Sequence, residues 1–206
     1  MEICLQNIGR RFNREWIFRT INYTFRQDKK YAILGKNGSG KSTLLKVISG
    51  CLSPSEGEII YTLDNQIIAA ENYYLHLTLA APYLELMEEF SLNEVLDFHF
   101  KFKKRAQNID NQDVVSLLGM QKNQHKAIKY FSSGMKQRVK LALAFCTETP
   151  ILLLDEPTSN LDTEGLQWYL NMVQKFSHNR LTIVCSNQPA EYQFCDAQLN
   201  VSQYII

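Results

Sequence analysis

The chain has 206 residues, a formal net charge of +1 at pH 7, and a composition that is 45% hydrophobic and 21% charged. This length is enough for one sizeable core and does not require two independent domains. The near-zero charge gives no global basic field, which argues against nucleic acid as a partner.

Two sequence features indicate the compartment in which the protein works. Residues 1–6 lack the basic and apolar regions of a signal peptide, and no apolar run approaches the roughly 20 residues of a membrane span. The cysteines are odd in number and form no C-x-x-C pair, which argues against a disulfide framework and a zinc site. They are predicted to be small core residues in a reducing compartment: Cys4, Cys51, Cys146, Cys185 and Cys195. We therefore expect a cytoplasmic chain that does not itself cross a bilayer.

The first part of the chain is predicted to be rich in β-strands. Apolar runs, some of them alternating with polar residues, predict strands at 3–8, 17–25, 31–34, 58–63 and 75–79.

Directly behind the third of these runs stands Gly35-Lys36-Asn37-Gly38-Ser39-Gly40-Lys41-Ser42-Thr43. Glycines at this spacing let successive backbone N–H groups turn inward around a polyphosphate. Lys41 is then expected to reach the β- and γ-phosphates, and the Ser42 hydroxyl to bind the accompanying Mg²⁺. Residues 44–48 begin a helix whose positive N-terminal end faces the phosphates. Glycines also mark ordinary turns, but a buried strand before the loop and an apolar helix after it are the context of a phosphate-binding P-loop.

The middle of the chain changes to a helical pattern from about residue 91. Phe98, Phe100 and Phe102 form an aromatic stripe that is more typical of a core than of an interface, with one ring expected to be exposed. Basic residues outnumber acidic ones between residues 90 and 140. A solvated helical surface explains this excess better than a binding patch does.

Strands and helices alternate again in the second half of the chain. A buried strand is predicted at 151–155, a helix at 163–176, and strands at 181–186 and 197–201. Such alternation is typical of an α/β protein with a mostly parallel sheet.

Two carboxylates, Asp155 and Glu156, stand at the carboxyl end of the 151–155 strand, where open α/β sheets place their ligands. Asp155 is suited to hold Mg²⁺ opposite Ser42. Glu156 is then free to orient or deprotonate a water for attack on the γ-phosphate. The alternative is that both acids only cap the following turn.

Phe131-Ser132-Ser133-Gly134-Met135-Lys136-Gln137-Arg138 opens a helix shortly before the acidic strand, and Ser159-Asn160-Leu161-Asp162 follows that strand. With these segments the chain resembles the ATP-binding subunit of an ABC transporter. The segment 131–138 is similar to the family's signature, usually Leu-Ser-Gly-Gly-Gln, and the segment 159–162 resembles its D-loop, with Asp162. The similarity spans nearly the whole chain, and the order of the motifs is far more specific than the P-loop alone.

The resemblance implies an α/β fold: a P-loop NTPase core with a mostly parallel sheet, an N-terminal antiparallel β subdomain and a helical subdomain. Residues 1–206 would form a single ABC-type ATP-binding domain. The core and β lobe would take in about 1–82 and 131–206, and the helical subdomain about 83–130.

The resemblance also implies how the protein assembles. Ser132, Ser133, Gly134 and Met135 would complete the γ-phosphate site of a second subunit, in a head-to-tail homodimer or heterodimer holding ATP and Mg²⁺. A transmembrane permease subunit would be the other partner and would hold the dimer at the inner face of the cell membrane. Phe12 lies where the family keeps an aromatic that stacks on adenine; an ordinary core phenylalanine is the alternative.

The chain departs from the family pattern at three places. Ser133 replaces the first signature glycine and Met135 replaces the glutamine, while the serine and second glycine remain. The segment 80–85, where the family has its Q-loop, contains no glutamine, and Glu85 lies too late in it to be a good substitute.

The third departure is Asn187, which stands where the family has a switch histidine. An amide can donate to the γ-phosphate but cannot carry a proton or a charge, so we expect slow ATP hydrolysis with Glu156 as the main catalytic carboxylate.

The leading functional hypothesis is an ATPase that powers a transmembrane partner in transport. The alternative is a hydrolysis-impaired, ATP-dependent dimerisation switch or a non-transport assembly factor. A nucleotide or small-molecule kinase is disfavoured, because the signature-like helix start has no evident role there.

Overall fold

The structure, a computed structural model, describes residues 1–27 and 29–205. Within these residues the strands are β1 (Glu2–Phe12), β2 (Glu15–Arg26), β3 (Lys30–Leu34), β4 (Glu56–Leu63), β5 (Gln66–Ile67), β6 (Leu77–Ala80), β7 (Ile151–Asp155), β8 (Leu181–Cys185) and β9 (Ala197–Asn200). The α-helices are α1 (Lys41–Ile48), α2 (Leu92–Phe102), α3 (Asn111–Leu118), α4 (Ser133–Phe145), α5 (Thr163–Phe176) and α6 (Pro189–Tyr192). Each strand predicted from the sequence has a counterpart, whereas β5, α3 and α6 correspond to no predicted element.

Two compact units divide the chain. The first takes in residues 1–79 and 150–156 and those from 179 onward, and the second takes in 80–149 and 157–178. Residues 83–130, the predicted helical subdomain, all lie in the second unit, which also contains α4 and α5.

The first unit holds an antiparallel sheet in the order β2-β1-β4-β5 and a second sheet in the order β6-β7-β8-β3-β9. In the second sheet β3 pairs in parallel with β8 and β9, and β7 pairs in parallel with β8. Chain segments that leave β3, β7 and β8 therefore emerge at one edge. The register places Ile33, Cys185 and Asp155 in a single row across those three strands.

One hydrophobic cluster joins the two sheets and α1. Leu44, Leu45 and Ile48 of α1 are fully buried with the inward-facing residues of β1, β2 and β3. Burial of an aliphatic side chain of this size contributes about 1.5–3 kcal/mol, so α1 is anchored by its apolar face. The P-loop is thus held at both ends, by β3 before it and α1 after it.

The second unit is built from α2, α3, α4 and α5. Ser91 and Glu94 form a capping box at the start of α2, and Asp110 and Asp113 form one at the start of α3. The indole nitrogen of Trp168 on α5 donates to the carbonyl of Leu117 at 2.8 Å, which ties α5 to α3.

The aromatic stripe on α2 is more exposed than the sequence predicts. Phe98 is 40% and Phe102 is 70% exposed, so two rings and not one reach solvent. The buried face of α2 carries Leu92, Val95 and Leu96. The two exposed rings are four residues apart, so they share another face of the helix, and they contact each other with 5.2 Å between centroids.

Two further sequence predictions need correction. The strand expected at 75–79 begins only at Leu77, because residues 70–76 form a 3₁₀-helix in which Tyr73 buries its ring and donates to the carbonyl of Ile48 at 2.9 Å. Cys51 is exposed and is not a core residue, since it follows the C-terminal end of α1 in a surface turn. Cys4 and Cys195 are only half-buried, whereas Cys146 and Cys185 are buried as expected.

Candidate functional site

The P-loop between β3 and α1 depends on backbone conformations that favour glycine. Gly38 and Gly40 have φ values of +80° and +94°. A Cβ atom on Gly40 would lie 2.4 Å from Cγ2 of Ile17, so the space beside the loop is also closed to any side chain. Gly40 caps α1 without any side-chain hydrogen bond. The first-turn N–H groups of α1 therefore have no side-chain acceptor from the cap and are available to an anion.

Lys41 is folded back over this loop. The side chain is only 5% exposed, and its ammonium donates to the carbonyls of Gly35 at 2.8 Å and Lys36 at 3.3 Å. The same Lys36 carbonyl accepts from the N–H of Ser39 at 3.0 Å. The positive charge is thus held at the loop that is predicted to surround the phosphates.

A cavity of about 220 Å³ opens beside the loop. Its lining consists of Ile17, Asn37, Gly38, Gly40, Lys41, Ser42, Thr43 and Glu156. All but Ile17 were predicted site residues. Gly35, Lys36 and Ser39 shape the loop without lining the cavity; Ser39 is 4% exposed.

Asp155 lies at the end of β7 with a 1% exposed side chain. Burial raises the pKa of its carboxyl, the charge of Glu156 raises it further, and the nearby Ser42 hydroxyl and Lys41 partly counter the rise. Neither carboxylate oxygen has a hydrogen-bond partner of good geometry among residues 1–27 and 29–205. The carboxylate therefore does not cap the following turn, and its oxygens are available to a cation.

Glu156 is exposed at the cavity and has a φ of +41°, which is uncommon for a residue with a side chain. Its N–H donates to the carbonyl of Cys185 at 2.9 Å, which fixes this backbone against β8. The side chain is thereby directed to the cavity.

Asn187 follows β8 at the same edge of the sheet. Its Nδ2 donates to Oδ1 of Asn37 at 2.6 Å, so it contacts the P-loop by its side chain. The neighbouring Ser186 hydroxyl accepts from the N–H of Gln188 at 2.8 Å and forms a tight turn there.

The signature-like segment and the D-loop-like segment meet within the second unit. Ser132 caps α4, and its hydroxyl oxygen accepts from the N–H of Met135 at 3.2 Å. Asp162 caps α5 by accepting from the N–H of Gly165 at 2.8 Å. A cavity of about 330 Å³ is lined by Ser132, Ser133, Gly134, Met135, Arg138, Asn160, Leu161, Asp162 and Gly165. Four of these residues were not predicted site residues: Arg138, which ends the signature-like segment, Asn160 and Leu161, which belong to the D-loop-like segment, and Gly165.

Gly134 allows the two segments to approach closely. A Cβ atom at this position would lie 2.9 Å from the carbonyl oxygen of Asn160. The glycine that the signature-like segment retains is therefore required for packing as well as for backbone access.

Phe12 ends β1 and is 46% exposed, so it is not an ordinary core phenylalanine. It does not line the P-loop cavity, where Ile17 of the next strand is the aliphatic neighbour. The guanidinium of Arg10 covers one face of its ring.

The segment that lacks a glutamine is hydrogen-bonded through its backbone to α4 within the second unit. The carbonyl of Pro82 accepts from the ammonium of Lys140 on α4 at 2.8 Å. Glu85 is exposed.

A family model described as ABC transporter matches residues 18–159. The chain belongs to this family. Membership of the ABC transporter ATP-binding proteins implies ATP binding and hydrolysis. Within residues 1–27 and 29–205, no helix has the length and apolarity that a bilayer span needs.

Relatives within the ABC transporter family extend over most of the chain. It is 29% identical over 198 residues to the uncharacterized ABC transporter ATP-binding protein YybJ of Bacillus subtilis (strain 168), covering 95% of this chain and 90% of the relative. It is 28% identical over 188 residues to the lantibiotic transport ATP-binding protein SrtF of Streptococcus pyogenes, covering 89% and 78%. Among solved structures it resembles the dimeric bacterial ABC transporter cassette MJ0796, with a TM-score of 0.81, 21% identity and 97% and 95% coverage. At this level of identity, the resemblance to the MJ0796 structure shows a shared fold only.

Proposed function

We propose that this chain is the ATP-hydrolysing subunit of an ABC transporter, which dimerises around ATP and powers a transmembrane partner. The observation that carries the proposal is that one cavity gathers Lys41, Ser42 and Glu156, with the buried carboxylate of Asp155 next to Ser42. These are a phosphate-binding cation, a metal-binding hydroxyl, a catalytic carboxylate and a metal-binding carboxylate. Their convergence from β3, α1 and β7 follows from the sheet register.

The residues at the end of β7 fit Mg²⁺. A hydroxyl oxygen and a carboxylate oxygen are hard donors of the kind that Mg²⁺ takes together with phosphate oxygens. Among the described residues, neither oxygen of Asp155 has a hydrogen-bond partner of good geometry, and the side chain is too buried for water to satisfy it freely. Mg²⁺ held there would neutralise charge that develops on the phosphates.

Glu156 is assigned the role of orienting and deprotonating the attacking water. It lines the cavity and is exposed there, and its backbone is fixed against β8. Lys41 and the N–H groups of the loop hold the phosphates in place during the attack. Asn187 can add one neutral hydrogen bond to the γ-phosphate, provided that its amide leaves Asn37.

The signature-like cavity of the second unit is assigned to the ATP of a second copy of the chain. Because the Ser132 oxygen accepts from the N–H of Met135, the hydroxyl proton is free to be donated to a phosphate. The first-turn N–H groups of α4 point out of the helix end, as at any helix start, and favour an anion. The dimeric form of the MJ0796 cassette supports this arrangement.

A complementation experiment tests the shared site. Lys41→Ala protein and Ser132→Asp protein should each be inactive, because each lacks one half of every site. Mixed, they should recover up to about a quarter of wild-type ATPase activity, since half of the dimers are mixed and each of those has one intact site. Lys41→Ala mixed with Glu156→Gln is the control. Both changes lie on the P-loop side, so no mixed dimer has an intact site and no activity should return.

A hydrolysis-impaired switch is the second candidate, favoured by Asn187 and by the missing glutamine in 80–85. In that case purified protein would dimerise with ATP and Mg²⁺ but release no phosphate above the Glu156→Gln background. Measured turnover above that background supports the transport ATPase.

We assign the docking surface for the membrane partner to the second unit. Its segment 81–90 exposes Tyr83, Leu84 and Met87, and α2 exposes Phe98 and Phe102. An aromatic and aliphatic surface of this kind is suited to the cytoplasmic loops of a permease, which would keep the subunit at the inner face of the membrane. A permease co-purifying with wild-type protein, and lost with Phe98→Ser and Phe102→Ser, would support this docking.

A further inference from the structure

Arg10 and Phe12 form a stacked pair at the end of β1. The guanidinium carbon of Arg10 lies 4.6 Å from the centroid of the Phe12 ring. One nitrogen of the guanidinium, Nη1, donates to the carbonyl of Ser53 at 3.0 Å. Its Nε is buried without a hydrogen-bond partner, and no carboxylate in the described part of the chain pairs with it. The guanidinium is thus fixed in place, partly desolvated and not neutralised.

We propose that Arg10 is a positioning residue that holds the Phe12 ring as a preformed platform for the adenine base of ATP. The proposal rests on the proposed function, since it requires ATP in the P-loop cavity. A phenylalanine that is 46% exposed would otherwise sample several rotamers and lose that freedom when a base binds. The cation covers one face and withdraws charge from the ring, which leaves the opposite face free for stacking and less repulsive to a second π-system.

The Ser53 contact connects this platform to the phosphate loop. Ser53 lies in the segment that follows α1, the helix that begins with Lys41. Two backbone-anchored bonds reinforce the link: the N–H of Ser55 donates to the carbonyl of Gly9 at 2.7 Å, and that of Arg11 donates to the Ser55 hydroxyl at 3.2 Å. These bonds fix the end of β1 against residues 53–55. That segment is in turn connected to the phosphate loop through α1.

Arg11 provides a matched control on the same strand. Its guanidinium lies over another aromatic ring, that of Trp16, at 5.5 Å. Its bond to Ser55 uses the backbone and survives a side-chain change. Arg11→Met therefore removes the same charge and a comparable ring contact without touching Phe12.

The test is calorimetric binding of ATP and of inorganic tripolyphosphate to wild type, Arg10→Met and Arg11→Met. Arg10→Met should weaken ATP binding about fivefold, which is about 1 kcal/mol, and leave tripolyphosphate binding unchanged. Arg11→Met should change neither. Equal weakening of both ligands by Arg10→Met, or no weakening of ATP, would overturn the proposal.

A double variant separates positioning from folding. With Phe12→Ala already present, Arg10→Met should cause no further loss of ATP affinity, because the platform is gone. An additive loss would mean that Arg10 acts elsewhere. If wild-type protein bound neither ATP nor tripolyphosphate, the proposed function itself would fail, and that result is distinct from a loss confined to the Arg10 variant.

Discussion

Asn187 donates a side-chain hydrogen bond to Asn37, with 2.6 Å between Nδ2 and Oδ1. Asn187, the second residue after β8, therefore contacts a side chain of the P-loop. For Asn187 to serve the phosphate, this amide pair must open. The contact gives a structural reason, besides the missing imidazole, to expect slow turnover.

Asn187→His should raise the ATPase rate of the purified protein. An imidazole can hold a positive charge near the transition state, which a neutral amide cannot do. The rate of the variant should also depend on pH between about 6 and 7, where histidine ordinarily titrates, while that of wild type should not. Steady-state phosphate release across this range measures both effects.

Asn171→His on the exposed face of α5 is the control for adding a histidine, and it should behave as wild type. A clear fall in the turnover of Asn187→His would contradict the assignment of position 187 as a weakened switch.

Glu156→Gln should reduce ATP hydrolysis by at least about a hundredfold and leave ATP binding intact. A positioned general base typically contributes about 10²–10⁴-fold, and glutamine keeps the shape of the side chain. Single-turnover hydrolysis and ATP binding measured on the same preparation separate the two. Glu164→Gln, at an exposed position in the first turn of α5, should have no effect. Unchanged turnover in Glu156→Gln would refute its catalytic role.

Gly40→Ala should lower ATP affinity more than about tenfold. Alanine at a φ of +94° costs about 1–2 kcal/mol, and the added methyl overlaps Ile17. Gly119→Ala is the matched control: its φ is +66°, but no atom of the described residues outside its own surroundings in the chain lies within 4 Å of the added Cβ. It should cost about 1 kcal/mol of stability and leave ATP binding unchanged. Calorimetry and urea unfolding of both variants provide the comparison.

His99 should make the protein less stable in acid. Burial, and then the charge of Lys103, lower the pKa of His99 to about 4, and its Nε2 lies 2.9 Å from the Thr147 hydroxyl oxygen. Because that hydroxyl donates to the carbonyl of Leu143, Nε2 of the ring carries a proton and donates to the hydroxyl oxygen. A lowered pKa in the folded state means that the stability is present above about pH 6.5 and is lost as the pH falls towards about 4.

Urea unfolding at about pH 7 and about pH 4.5 measures this loss. His99→Gln, which keeps a donor for Thr147, should lose about 1–3 kcal/mol less than wild type between the two values. His178→Gln, at an exposed position, should follow wild type. If wild type and His99→Gln lost stability in parallel, His99 would not be the source.

The strands and the phosphate loop could be predicted because each is determined locally. Consecutive residues are enough to predict the strand before Gly35 and the strand that ends in Asp155. The register of the sheet, in which β8 pairs with both strands, then brings their carboxyl ends together. The exposure of Phe98 could not be predicted in the same way, because it depends on which face of α2 the neighbouring helices cover. Ile17 was missed as a cavity residue, since its contact with Gly40 joins positions that are distant in the sequence.

The row formed by Ile33, Cys185 and Asp155 means that the spacing of the proposed site residues is set by backbone hydrogen bonds between strands. Loop residues beyond that row can be exchanged without moving the scaffold beneath them. A lineage could therefore replace a histidine by Asn187, or lose the glutamine of 80–85, and adjust the lifetime of bound ATP while the cassette itself stayed the same. Turnover rate and architecture are separately adjustable in such a fold.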